Sequence, residues 1–237
     1  MKIYFLGWLC CFLATYAAQA QTSNSVILAK KPNFQTQLYY DSLDTTPGIY
    51  TGAEHQYYSF RIEGNPFFFS DDIAPTDIHY NGFLYQNIEA YYDLHLQAII
   101  VEHDNMSFAI RLDNKRISHF KMYEHKFVHL NVDSISGMKS GFYDLVVDGP
   151  VKFFVRREKE LRKEIDNQII REWFEPLTRY YVLKDGSYHR IKRRGQILKL
   201  FGDKKKELKT FIKQQRISIR TFPEDGFEKI INHYNEL

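Results

Sequence analysis

This chain of 237 residues has almost no cysteine: Cys10 and Cys11, side by side near its start, are the only two. Both fall in a stretch with the grammar of a secretory signal, residues 1–20. Lys2 supplies a short positive region, an apolar run follows over 3–14, and Ala18-Gln19-Ala20 places small side chains where a signal peptidase needs them. Cleavage before Gln21 leaves 217 residues without cysteine. That excludes a disulfide framework, a thiol nucleophile and a thiolate zinc site. Long hydrophobic runs are missing as well. The apolar run covers roughly a dozen residues, whereas a helix that spans a bilayer needs about 20, so no transmembrane span is expected in the mature chain. Bulky Trp8 and Leu9 before Cys10 argue against a lipid-anchored cysteine. The expected location is outside the cytoplasm, in the periplasm or fully secreted.

Catalytic and cofactor motifs are equally scarce. There is no G-x-S-x-G, no H-E-x-x-H and no glycine-rich phosphate loop. Ser134-Ile135-Ser136-Gly137 and Ser140-Gly141 could supply a nucleophile with His119, His125 or His129 as base, but serine beside glycine reads first as a surface loop. His125 and His129 would share one side of a strand, about 13 Å apart and too far for one ion. Asp71, Asp72, Asp77 and His79 make the densest acidic cluster, without the D-x-D-x-D-G spacing of a calcium loop. Asn105-Met106-Ser107 fits a glycosylation sequon, which matters only in a eukaryotic source. No metal, no cofactor and no catalytic residue is expected. A non-catalytic exported binding or structural protein is the leading reading, and a hydrolase acting on envelope or extracellular polymers is the alternative.

What the sequence does contain is aromatic residues, 16% of the total, and charge divided unevenly along the chain. Residues 21–150 carry 9 Lys and Arg against 16 Asp and Glu, whereas 151–237 carry 22 against 13. The acidic part is written as short runs of Tyr, Phe, Ile and Val between turn residues. Ile78-His79-Tyr80, Asn81-Gly82 and Phe83-Leu84-Tyr85 predict a hairpin, because Asn-Gly suits a type I′ turn. Further strands are predicted over 88–92, 98–102, 107–112, 117–123, 127–130, 142–147 and 151–157, with Phe108, Ile110 and Leu112 sharing one face. Short strands with such frequent turns point to an antiparallel sandwich or barrel-like domain over residues 21–157.

In the basic part, 158–237, the period changes. Leu161, Ile165, Ile169 and Trp173 recur every four residues and predict a helix over 158–173, with a continued strand as the competitor. A small hairpin follows from Tyr180-Tyr181-Val182-Leu183, a turn at Lys184-Asp185-Gly186-Ser187, and Tyr188-His189-Arg190-Ile191. Asp203 is placed to cap a helix over 204–214, and Thr221-Phe222-Pro223-Glu224 has capping-box spacing ahead of Phe227, Ile230, Ile231 and Tyr234. The fold class is thus α+β, with a basic C-terminal hairpin and helices.

The densest charge of one sign is Arg190, Lys192, Arg193 and Arg194, continued by Lys204, Lys205, Lys206, Lys209 and Lys213. A solvated helix face is the plainest account of it. Because export disfavours nucleic acid as a partner, the candidates are anionic envelope lipid, acidic polysaccharide or another envelope protein. The signal end Ala18-Gln19-Ala20-Gln21, the Gly141-Phe142-Tyr143-Asp144-Leu145-Val146-Val147-Asp148-Gly149 segment, the Tyr181-Val182-Leu183-Lys184-Asp185-Gly186 turn and the closing helical residues together resemble exported β-rich proteins of Gram-negative bacteria whose function is unknown. That resemblance covers most of the mature chain and carries no ligand or catalytic residue.

Overall fold

The computed structural model describes residues 48–102, 108–132, 137–166 and 169–237. The expected signal and its cysteines, Gln21, the Asn105 sequon, Ser134 and Ser136 lie outside the described residues. Eleven strands form the sheet: β1 (Ala53–Glu54), β2 (Ala74–Tyr80), β3 (Phe83–Asp93), β4 (Ala98–Val101), β5 (Ile110–Arg111), β6 (Ile117–Met122), β7 (His125–Leu130), β8 (Gly141–Val147), β9 (Lys152–Asp166), β10 (Ile169–Lys184) and β11 (Ser187–Ile191). Their order is β1-β5-β4-β3-β2-β6-β7-β8-β9-β10-β11, antiparallel throughout. This is one open hydrogen-bonded series, not a closed barrel. Three helices follow: α1 (Arg194–Leu200), α2 (Lys205–Gln214) and α3 (Pro223–Glu236).

The Asn81-Gly82 hairpin forms as expected: Tyr80 pairs with Phe83, and Asn81 and Gly82 take φ of 52° and 85°. From there the sheet grows by neighbouring hairpins, the cheapest way to close antiparallel pairs. Tyr92, Phe120, Phe127 and Phe142 from four strands meet in one core, with ring centroids 4.7 to 5.9 Å apart. Phe108 departs from its expected face. Ile110 and Leu112 are buried but Phe108 is 43% exposed, because the paired strand is only Ile110–Arg111 and the alternation does not extend back to it.

The largest correction concerns 158–173: among the described residues, 158–166 and 169–173 are strand and not helix. β9 and β10 make one long hairpin, paired from Lys152 and Leu183 out to Asp166 and Ile169. A spacing of four is even, so Leu161 and Ile165 share a face of a strand as readily as a face of a helix. The cross-strand partners decide between them: Ile165 pairs with Ile170 and Leu161 with Phe174. The boundary expected after residue 157 falls inside β9, and the expected C-terminal hairpin is no separate unit, since its first strand is the 16-residue β10.

At their base β8, β9 and β10 are covered on both sides. Phe153, Val155 and Val182 face a core shared with Ile197, Phe201, Leu208, Phe227, Ile230 and Ile231 of the helical layer. Phe154, Tyr143 and Tyr181 face a smaller cluster with Met138 on the other side. Neighbouring aromatics such as Phe153-Phe154 and Tyr180-Tyr181 therefore both find cover, as a two-sided strand allows. Neither expected helix cap forms. Asp203 accepts a hydrogen bond from the Tyr234 hydroxyl at 2.9 Å, and Phe222 occupies the cap position of α3 with Pro223 opening the helix. Glu224 is drawn instead to Arg157.

Candidate functional site: a cationic groove

The turn after β10 is tight, with φ of 51° at Asp185 and 73° at Gly186, and it returns the chain as β11 directly alongside β10. Ile191 ends β11 and is buried in the helical core, as are Ile197 and Leu198 of α1. Those apolar anchors leave Arg190, Lys192, Arg193 and Arg194 exposed between them. Facing them is the α2–α3 connection. Its Ile217 and Ile219 sit so close to Gly226 that a Cβ there would come within 3.0 Å of the Ile219 side chain. The connection is thereby pressed onto α3, and Arg220 points outward from it.

Between these walls lies a cavity of about 740 Å³, floored by Thr178, Tyr180, Ile191, Ile217 and Pro223. Six cations line it: Arg179, Arg190, Lys192, Arg193, Arg194 and Arg220, and no Asp or Glu is among its lining residues. Arg179 is held by Glu158. The other five form no ion pair with any described residue. Burial, and next the nearby Glu224 carboxylate, push the Tyr180 phenol above its ordinary pKa, so it remains a neutral hydroxyl at the floor. A concave, apolar-floored site with converging like charges can hold an anion whose body is partly apolar.

The nine residues singled out by sequence are divided by the fold. Arg190, Lys192, Arg193 and Arg194 line the groove, whereas Lys205, Lys206, Lys209 and Lys213 lie on the exposed side of α2 and Lys204 in the short turn before it. The reason is the α2 stripe: Leu208 and Ile212 turn inward, so the lysines turn out. Arg179 and Arg220 were missed by sequence reasoning. Each is isolated along the chain, and only pairing of β10 with β11 and closure of the α2–α3 connection bring them in.

The other candidate groups are spoken for by structural contacts. His125 Nδ1 lies 2.6 Å from Asp144 Oδ2, and that same oxygen accepts from Arg157 Nη2 at 2.6 Å. Arg157 in turn donates twice to Glu224, at 2.6 and 2.9 Å, tying β8 and β9 to the start of α3. Burial, the largest single influence, would lower the guanidinium pKa, but the bonds and charges of Glu224 and Asp144 together outweigh it and raise it. Phe68 and Phe69 pack on the His125 ring at 5.1 and 5.3 Å. His129 instead packs edge-on against Phe142, and burial lowers its pKa. His119 stacks on His79 at 4.9 Å, while Ser140 donates to Asn131 and Val132 within its loop. In the acidic cluster, Asp72 accepts from Ser70 and Asp77 from the Asn87 backbone. Among the described residues no set of three or more His, Cys, Asp or Glu converges as metal ligands, and no helix is long and apolar enough to cross a membrane.

No protein family model, curated protein or solved structure matches this chain.

Proposed function

We propose that this is an exported, non-catalytic binding protein that takes an anionic ligand of the cell envelope or its surroundings into the cationic groove. One observation carries the reading: six cations and no carboxylate line a single concavity, and five of those cations have no ion-pair partner among the described residues. Isolated surface charges are common, but like charges converging on one cleft repel each other and lower the stability of the protein that holds them. An acidic saccharide or a phosphate-bearing headgroup would offset that repulsion. The hydrolase alternative rests on the contact of His125 with Asp144, whose carboxylate is shared with Arg157 and whose imidazole is packed by Phe68 and Phe69. Such an arrangement suits a joint between sheet and helices better than a base that must exchange protons with substrate.

The test compares the parent with two fourfold variants: Arg190→Gln, Lys192→Gln, Arg193→Gln, Arg194→Gln in the groove, and Lys205→Gln, Lys206→Gln, Lys209→Gln, Lys213→Gln on α2. Each cation near an anionic lipid surface contributes about 1 kcal/mol within a Debye length of about 8 Å at physiological salt. The groove variant, which removes four such charges, should lose affinity for anionic vesicles or a soluble acidic polysaccharide by on the order of a thousandfold, and the α2 variant far less. A parent that binds neither even at low salt, or an α2 variant that loses more than the groove variant, defeats the reading.

A further inference from the structure

The groove is selected in residue type as well as in charge. Of the six cations that line it, Arg179, Arg190, Arg193, Arg194 and Arg220 are arginine and only Lys192 is lysine. The chain as a whole has the opposite balance, 19 Lys against 13 Arg. On α2 and in the turn before it, every cation is lysine: Lys204, Lys205, Lys206, Lys209 and Lys213. An ammonium is a compact, strongly hydrated charge suited to a solvated face. A guanidinium is planar, more weakly hydrated, and presents its N–H donors as a fork that matches two oxygens of one anion. Charge by itself would be served by either residue, so the division between groove and helix face points to an anion that is gripped through its geometry.

Carboxylate and phosphate both fit such a fork, and the quantity of charge separates them. Arg179 is held by Glu158, and Glu224, the carboxylate beside Tyr180, is taken up by Arg157. Five unpaired cations are left for the ligand to match. A uronate polymer carries a single charge per ring, and a cavity of about 740 Å³ has the size that encloses one small molecule, not a run of rings. A phosphomonoester brings about 1.5 to 2 negative charges and three acceptor oxygens at neutral pH, so about two or three of them on one small body suffice. The floor of Ile191, Ile217 and Pro223 offers that body an apolar rest.

We propose that the groove is specific for a small molecule bearing two or more phosphomonoester groups, with Arg190, Arg193, Arg194 and Arg220 forked onto phosphate oxygens and the body of the ligand on the apolar floor. This assignment rests on the groove as the anion site and adds the class of its ligand. A free phosphorylated compound and a phosphorylated lipid headgroup present the same chemistry.

The test uses the chain from Gln21 and four probes at matched ionic strength: inositol hexakisphosphate, polygalacturonate, and phosphatidylcholine vesicles carrying either phosphatidylinositol bisphosphate or phosphatidylserine to equal surface charge. The parent is compared with Arg190→Lys, Arg193→Lys, Arg194→Lys, Arg220→Lys together, and with the fourfold glutamine variant of the groove. All four arginines are exposed, so the exchange to lysine keeps the charge, removes the forks and leaves the core intact. The parent should prefer the phosphorylated probes. The lysine variant should lose roughly tenfold or more on those probes and change little on polygalacturonate and phosphatidylserine vesicles. Binding of the hexakisphosphate without the bisphosphate vesicles assigns a free compound, and binding of those vesicles assigns a headgroup; either result supports the proposal. A parent that binds neither phosphorylated probe or prefers polygalacturonate overturns it, as does a lysine variant that matches the parent on the phosphorylated probes or loses all probes alike. In each of those cases the groove remains the anion site if the glutamine variant still loses binding. A glutamine variant that binds every probe as the parent does brings down the groove reading and this assignment together.

Discussion

The shaft of the β9–β10 arm, which is the part of that hairpin beyond Val155 and Tyr180, and the groove at its base are both dense in Arg and Lys, yet they end in opposite electrostatic states. On the shaft, Arg162, Lys163 and Arg171 each stand beside a carboxylate at 2.6 to 3.3 Å. In the groove, Arg190, Lys192, Arg193, Arg194 and Arg220 have no such partner among the described residues. Antiparallel register sets Lys163 directly opposite Glu172 and brings Arg162 within diagonal reach of Glu175, whereas Arg171 meets Glu63 of the segment before β2. The groove is made by a turn, a short helix and a connection, which align no complementary strand beside it. A count of charge along the chain therefore does not locate a cationic site; what remains unpaired after folding does.

Buried pairing should show the largest energetic effect. Arg157 bridges Asp144, whose side chain is 2% exposed, and Glu224. Arg157→Met should cost about 3 kcal/mol in urea denaturation, since it strands a buried carboxylate. Adding Asp144→Leu should recover part of that loss, and a double variant no more stable than the single would show that the network is worth more than its desolvation.

Next in size is the helical layer that forms one wall of the groove. Ile230 is fully buried against β9 and its neighbours, so Ile230→Ala should cost about 2 to 5 kcal/mol. Equal melting of variant and parent would mean that α3 packs only peripherally and that the groove lacks a firm wall.

The smallest effect is expected on the shaft. Glu175→Gln removes the partner of Arg162 where both side chains are about half exposed and solvent screens the pair, so the urea midpoint should barely move. A larger loss in urea denaturation would mean that the ion pairs hold the arm together, and the contrast between shaft and groove would then be one of stability as well as of charge.

Much of the acidic half was legible in the sequence. The Asn81-Gly82 turn and most of the strands that follow it appear where local pattern placed them, with β5 shorter than expected, and in the basic half so does the α3 stripe of Phe227, Ile230 and Ile231. Each depends on interactions only a few residues apart. The arm was misread because a four-residue apolar spacing satisfies both periods, and only pairing with β10 selects the strand. The predicted caps failed for a related reason. Glu224 gains two charge-assisted hydrogen bonds from Arg157, 67 residues away, more than a single backbone amide offers.

By itself the sequence determined the antiparallel strand content, the tight turns and the inward stripes of α2 and α3, since turn chemistry and side-chain periodicity act over a few residues. Tertiary structure alone decided that the sheet stays open, that β9 and β10 run on past their neighbouring strands as a paired arm, and that four of the nine expected cations join Arg179 and Arg220 around one groove. Those outcomes depend on which distant segments meet. The energy of a cross-strand partner or a buried ion pair is absent from the chain until both of its members have been brought together.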